Sequence, residues 1–274
     1  MDYNLASCQD ETKISPVDSE VLKQKILDTE LDFPKYICSF ETTDFGVMYW
    51  DEENKVNPYL NHAILYPDKV SDLPGILARI TQFYLEKEIQ PRIRQPFTKG
   101  YFIDHADEFR KSGYDIQLFS PTRFMVLQDE NKIRKSDKLE IKELNEWDER
   151  VANDILIPDG NEQTVEQIRR NIVSDRYRVL VGFLENEAVT MATIFYGDHG
   201  VARLDSAETT AELRGQGHAR ELISTIVDMH RAESQLPLYL WPKNITAEKI
   251  FREAGFRDLF DEELAIAAHY AAIQ

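Results

Sequence analysis

The sequence predicts an α+β protein: two α/β domains in tandem, each a mostly antiparallel mixed sheet flanked by helices. Three observations carry that prediction. Phe109-Arg110-Lys111-Ser112-Gly113-Tyr114 returns as Phe251-Arg252-Glu253-Ala254-Gly255-Phe256, at the offset of 142 residues that separates Phe109 from Phe251. Carried backwards without gaps, the same offset lays Asn61–Tyr114 over Arg203–Phe256 and brings two amphipathic helix patterns into register. In the second half, apolar runs broken by Asn- and Gly-containing turns mark successive antiparallel strands.

The elements follow in order. In the first copy Ile76, Leu77, Ile80, Phe83 and Tyr84 recur at helical spacing, and in the second Ala219, Leu222, Ile223, Ile226 and Val227 do so. Residues 128–138 are polar, carry both signs of charge and lack periodicity, which marks a linker and predicts domains at 1–130 and 136–274. A helix over Glu162–Ser174 precedes a meander of strands at Arg178–Leu184, Ala188–Tyr196 and Val201–Thr209, turned at 185–187 and 197–200. A helix from Gly217 to His230, a strand at Leu238–Leu240 and a helix over Ile245–Ala254 complete the unit. Gly255 suits the left-handed cap position of the last helix.

Composition narrows the function classes. The 274 residues are 42% hydrophobic, too apolar for a disordered chain, and 32 basic against 49 acidic side chains give a net charge of -17. That sign argues against nucleic acid and anionic membrane partners; it suits either cationic ligands such as amines or a plain solvated surface. The two cysteines, Cys8 and Cys38, form neither a CxxC nor a metal-ligand spacing, so no disulfide framework and no metal site are expected. Met1-Asp2-Tyr3-Asn4 begins no basic-then-apolar leader, and no apolar run approaches a membrane span, so the expected location is cytoplasmic.

Arg214-Gly215-Gln216-Gly217-His218-Ala219 lies between a strand and a helix. First-turn N–H groups lack intrahelical partners and the helix dipole adds positive charge, so the loop is suited to an anion. Glycines allow close approach to the backbone, and Arg214 adds a permanent cation. The same two glycines would also serve a plain tight turn. A dinucleotide fingerprint would need glycine or alanine where Arg220 stands, and a Walker loop would need a lysine followed by serine or threonine.

Arg214-x-x-Gly217-x-Ala219, followed by Asn244-x-x-Ala247-x-x-x-Phe251-x-x-x-Gly255-Phe256, resembles the GNAT superfamily of acetyl-CoA-dependent N-acyltransferases. The resemblance covers about Leu139 to Tyr270 and, through the duplication, extends weakly over the first half. It implies two GNAT-like domains, with acetyl-CoA as cosubstrate and a small-molecule, peptide or protein amine as acceptor, in a monomer or homodimer. The amides of Gly215, Gln216, Gly217, His218 and Ala219 would hold the coenzyme A pyrophosphate beside Arg214. The backbone at Ala207 and Thr209 would pair with the pantetheine arm, Asn244 would touch it, and Phe251 would line the same site.

The amine must lose a proton before it attacks a thioester, a task for a carboxylate. The family pattern places that base at Asp205, with Glu208 second, against the alternative of a solvent-facing acid. Phe251 stands where many members carry a proton-donating tyrosine. Tyr270, Tyr239 and His269 are candidate substitutes, as is water or departure of the thiolate unprotonated. His218 is expected to offer its backbone N–H with its ring outward.

The offset predicts a degenerate first half. Arg214 becomes Asp72, Gly215 becomes Leu73, Gln216 becomes Pro74 and Asn244 becomes Phe102, so each polar feature of the anion loop is lost while the apolar helix face survives. That half would be retained for packing or as a wall of the acceptor pocket. The expected activity is N-acetyl transfer to a primary amine by direct attack on the thioester; the alternative is a coenzyme A-binding regulatory or scaffolding protein with little turnover.

Overall fold

In the computed structural model, residues 16–94, 98–134 and 136–270 are described; Met1-Asp2-Tyr3-Asn4, Cys8 and, within the linker, Lys135 lie outside them. The first half runs α1 (Pro16–Asp32), β1 (Ser39–Thr42), β2 (Gly46–Trp50), β3 (His62–Leu65), α2 (Leu73–Glu86), β4 (Arg92–Arg94), α3 (Tyr101–Asp104), α4 (Ala106–Lys111), β5 (Tyr114–Leu118) and β6 (Thr122–Leu127). The second runs β7 (Glu140–Leu144), a π-helical turn at Val151–Leu156, α5 (Glu162–Asn171), β8 (Tyr177–Leu184), β9 (Glu187–Tyr196), β10 (Ala202–Thr209), α6 (His218–Glu233), β11 (Leu238–Leu240), α7 (Ile245–Glu253), β12 (Phe256–Glu262) and β13 (Ala265–His269). The fold is mixed α+β with two sheets flanked by helices, as the sequence predicts.

The strands form a six-stranded sheet in the order β1-β2-β3-β4-β13-β5 and a seven-stranded sheet in the order β12-β6-β11-β10-β9-β8-β7. Every neighbour pair is antiparallel except β3 with β4 and β10 with β11, the two places where a helix crosses between adjacent strands. The meander turns where expected, with Glu185 and Asn186 at φ 50 and 74, the pair of left-handed residues a tight hairpin requires. Gly255 has φ 104, and a Cβ there would lie 2.2 Å from the Asp129 carbonyl oxygen, so only glycine ends α7 in this way.

The sheets do not divide where the sequence does. Strand β6, from the first half, lies in the second sheet between β11 and β12, with Tyr239 opposite Val126 and Phe256 opposite Leu127. In return β13, from the end of the second half, sits between β4 and β5, with Ile266 opposite both Arg94 and Gln117. Residues 128–138 contain no regular element among those described, but they are not a loose tether. Lys132 N–H donates to the Glu253 carbonyl at 2.8 Å and the Asn131 amide to the Ser224 hydroxyl at 2.8 Å.

Two of the cores among the described residues form against α2 and α6. Ile76, Leu77, Ile80 and Tyr84 of α2 pack with Ile93 and Phe109 in one, and Leu222, Ile223, Ile226 and Val227 of α6 with Leu204 and Phe251 in the other. The apolar faces read from the sequence are thus the buried ones. Deeply buried clusters of this kind supply most of the drive to fold.

Candidate functional site

Strands β10 and β11 run side by side for only two residues, Ala202 opposite Leu238 and Arg203 opposite Tyr239, and then part. The cause is local to β10. Ser206 takes φ 51, costly for a residue with a Cβ, and the register with β9 slips between Asp205 and Glu208. The bulge turns the strand away from β11 and opens a cleft of about 300 Å³, whose walls include Asp205, Ala207 and Glu208 on β10 and Phe251 on α7. The first half closes the opposite side with Glu30, Asn57 and Arg94.

One buried charge network ties the halves together in this cleft. Glu30, 3% exposed, accepts from Arg203 Nε at 2.7 Å and from the Tyr239 hydroxyl at 2.9 Å. Arg203 also donates to Asp205, and its guanidinium lies 4.3 Å from the Phe33 ring centroid. Burial opposes the Arg203 charge, but Asp205 and Glu30 outweigh it and hold the guanidinium more firmly protonated than usual. Burial first, and then the charge of Glu30, pushes the Tyr239 phenol far above its ordinary range. Glu208 stands apart from the network, with Lys243 at 3.4 Å.

Beyond β10 the chain turns into α6 through the glycine loop. Gly215 and Gly217 have φ 79 and 94, and a Cβ at either would meet nothing within 4 Å. Gly217 caps α6 without a side-chain hydrogen bond, and the amides of residues 215–219 reach no acceptor among the described residues. A row of unpaired donors, exposed at Gly215–Gly217 and leading into the start of a 16-residue helix, fits a diphosphate. Arg214 is less available than its sequence position suggests: Nε donates to the Thr209 carbonyl at 3.0 Å and the guanidinium pairs with Asp159.

Several site expectations change. The His218 ring is buried, 4% exposed, with no hydrogen-bond partner for either nitrogen among the described residues, where an outward ring is expected; its Cβ direction at the first turn carries it under α6 rather than to solvent. Tyr270 does not approach the cleft. The chain at β13 crosses to the first sheet, so its hydroxyl donates to Asp115 at 3.1 Å and its amide to the Gly113 carbonyl, and His269 pairs with Tyr114 on the same sheet. Tyr239 does reach the network, but its hydroxyl donates to Glu30. Asn244 caps α7, its side-chain oxygen accepting from the amides of Thr246 and Ala247 at 3.0 Å, which leaves its NH₂ as the group able to meet a ligand. Thr209 bonds the Thr190 hydroxyl at 2.9 Å.

The counterpart loop is closed. Asp72 caps α2, its carboxylate accepting from Gly75 N–H at 3.2 Å, and Pro74 in the first turn offers no N–H. An internal anion therefore occupies the place where the second half presents open donors. Sequence reasoning missed Glu30, Arg94 and Arg203. A signal existed for Arg203, a charged residue inside the otherwise apolar run Val201-Ala202-Arg203-Leu204, whereas nothing near Glu30 reveals partners more than a hundred residues away, and nothing near Arg94 reveals Glu30.

Residues 141–256 match the sequence model of the Acetyltransferase (GNAT) family. A GCN5-related N-acetyltransferase from Kribbella flavida superimposes with a TM-score of 0.64 at 12% identity, covering 90% of this chain and 95% of that one. A functionally unknown conserved protein from Staphylococcus epidermidis gives 0.58 at 14% identity, covering 84% and 92%. A tandem GNAT protein from the clavulanic acid biosynthesis pathway gives 0.53 at 11% identity, covering 77% and 76%. No curated protein matches in sequence. Residues 141–256 thus match the GNAT acetyltransferase family, and the chain is similar in fold to solved GNAT structures that include a tandem GNAT protein.

Proposed function

We propose that the protein is an acetyl-CoA-dependent N-acetyltransferase whose second half holds the coenzyme and whose acceptor cleft is shared by both halves. The observation that carries the reading is the junction of two openings: the parted strands β10 and β11, and the unsatisfied amides of residues 215–219 just beyond them. The amides receive the diphosphate, and the exposed edge of β10 around Ala207 receives the thiol-bearing arm. An N–H of that edge stabilises charge growing on the thioester oxygen.

Glu208 takes the ammonium proton, directly or through one water. Asp205 is the poorer candidate because Arg203 already holds its carboxylate. The freed amine attacks the thioester carbonyl, the C–N bond forms, the C–S bond breaks, the thiolate leaves, and the nitrogen gives its second proton to water as the amide forms. No tyrosine hands it a proton, since Phe251 has none to give and the Tyr239 hydroxyl is committed to Glu30. A thiolate is a tolerable leaving group, thiols being weakly basic.

Glu208→Gln tests this assignment. The expected result is thiol release from acetyl-CoA slowed about a hundredfold at neutral pH. Coenzyme affinity would be unchanged, and the rate would recover partly at high pH, where the amine is free without help. Undiminished release by this variant would remove Glu208 from the mechanism. Tight coenzyme binding by the wild type with no release for any amine would leave a binding protein.

A further inference from the structure

The charged groups of the cleft answer one another. Glu30 and Asp205 pair with Arg203, Arg94 has Glu30 at 3.9 Å and Glu208 has Lys243 at 3.4 Å, so each charged side chain on the walls lies beside an opposite charge. Two neutral groups do not find such partners. Gln167 of α5 and Asn57 of the first half both line the cleft, 9% and 3% exposed. Asn57 Oδ1 accepts from the Tyr59 amide at 2.9 Å, but its NH₂ donates to nothing among the described residues. Neither end of the Gln167 carboxamide has a hydrogen-bond partner among them. Polar groups withdrawn from water and left unpaired are costly, and a ligand that supplies the missing partners offsets the cost.

Contacts on either side hold the two carboxamides in one place. The Asn54 amide donates to the Gln163 carbonyl at 2.9 Å and Arg170 to Asp51 at 2.8 Å, tying the loop that carries Asn57 to the helix that carries Gln167. Asn161 at the helix cap, Gln163, Thr164 and Gln167 all line the cleft, and the last three share a helix face by their spacing of three and four. This neutral polar row is about 9 Å long at 1.5 Å per residue. An extended peptide advances about 3.3 Å per residue, so the row matches nearly three residues of backbone.

We propose that the acceptor is the α-amine of a short peptide, whose amino group faces Glu208 while its backbone bonds Gln167 and Asn57. The inference rests on the acetyl-transfer reading above and narrows its substrate. In an extended chain the N–H and C=O of one residue point to the same side, and a carboxamide, with its donor and acceptor on one carbon, meets both. Asn57, with only its NH₂ open, adds a donor for a second carbonyl. The row is longer than one sugar ring, which favours a chain of amides over an amino sugar. A polyamine or aminoglycoside would find no unpaired carboxylate on the walls for its further charges. The volume, about 300 Å³, holds only the first residues, and the rest of the peptide emerges past Tyr59 at the rim, 62% exposed.

The test is thiol release from acetyl-CoA by the full chain with ethylamine, alaninamide, trialaninamide, glucosamine, spermidine and kanamycin. The expected result is trialaninamide used at least about tenfold better, in kcat/KM, than any of the others. Gln167→Met, which fills similar space without the carboxamide, should raise the KM for trialaninamide about tenfold while leaving its kcat and the use of ethylamine within about twofold. Asn57→Asp, which keeps an oxygen for the Tyr59 amide and loses the NH₂, should likewise raise that KM, and coenzyme affinity by calorimetry confirms that each variant is folded. Replacing the peptide's amides one at a time by esters should weaken wild type at one position and leave Gln167→Met unchanged there, a coupling that a merely structural glutamine would not show. Equal use of trialaninamide and ethylamine, preference for glucosamine, spermidine or kanamycin, or a Gln167→Met effect identical for trialaninamide and ethylamine would overturn the proposal while leaving acetyl transfer intact. Release with none of the amines would instead remove the transferase reading, and the proposal with it.

Discussion

Gly217→Ala and Gly255→Ala introduce the same methyl group at two left-handed positions and should fail in opposite ways. At Gly217, φ is 94 and the added Cβ would meet nothing within 4 Å, so the cost is conformational alone, roughly 1–2 kcal/mol. The loop is exposed and makes few internal contacts, so the free protein can relax to a negative φ and avoid that strain. Coenzyme binding must then restore the original turn, which weakens affinity about 5- to 30-fold while the unfolding midpoint barely moves. At Gly255, φ is 104 and the Cβ would lie 2.2 Å from the Asp129 carbonyl oxygen and 3.1 Å from that of Glu130, neither of which is the end of a flexible side chain. That variant should lose several kcal/mol of stability, with coenzyme affinity near the wild-type value in whatever fraction folds. Isothermal calorimetry with coenzyme A and urea unfolding read the two effects separately. A Gly217→Ala protein that binds within twofold of wild type would refute the claim that this turn is the anion cradle.

Two further outcomes follow from the architecture and from one buried imidazole. A fragment of residues 136–274 lacks β6, and with it the buried Phe124, Met125 and Val126, together worth about 5–9 kcal/mol of burial, a sum comparable to a domain's whole stability. It should show no cooperative urea transition, whereas a fragment starting at residue 119 should recover one; a sharp transition for 136–274 alone would contradict the importance of the exchanged strand. Burial, with Arg94 and Arg92 adding, lowers the His62 pKa from 6.5 to about 3. Its neutral form is therefore the folded one, and the stability it allows is complete above pH 6.5 and lost as pH falls toward 3, at up to about 1.4 kcal/mol per unit. Between pH 7 and 5 wild type should lose about 2 kcal/mol more than His62→Gln in urea titrations, and equal losses would place the proton elsewhere.

Much of the second half was legible because its signals are local. Strands β8, β9 and β10 and helices α5, α6 and α7 appear within a few residues of where alternation, turn residues and 3.6-residue spacing put them. The duplication was legible too, since Gly113 and Gly255 close matching helices at φ 86 and 104. The exchange of β6 and β13 was not. A strand's side chains report that both its faces are covered, but not which sheet supplies the neighbours, and Phe124-Met125-Val126 would suit either. That single ambiguity misled the reading of Tyr270, which follows β13 to the first sheet. The site divided in the same way: the loop at Gly215–Gly217 is contiguous in sequence, whereas Glu30, Arg94 and Arg203 meet only through tertiary packing.

The borrowed strands also impose an order on assembly. When β5 leaves the ribosome, the slot beside it belongs to residues 265–269, which are some 150 positions further along the chain. At ordinary elongation speeds the nascent first sheet waits roughly ten to thirty seconds with the hydrogen-bonding edges of β4 and β5 bare. Bare edges recruit other chains, so newly made copies are most prone to clump during that interval and safe once translation passes His269.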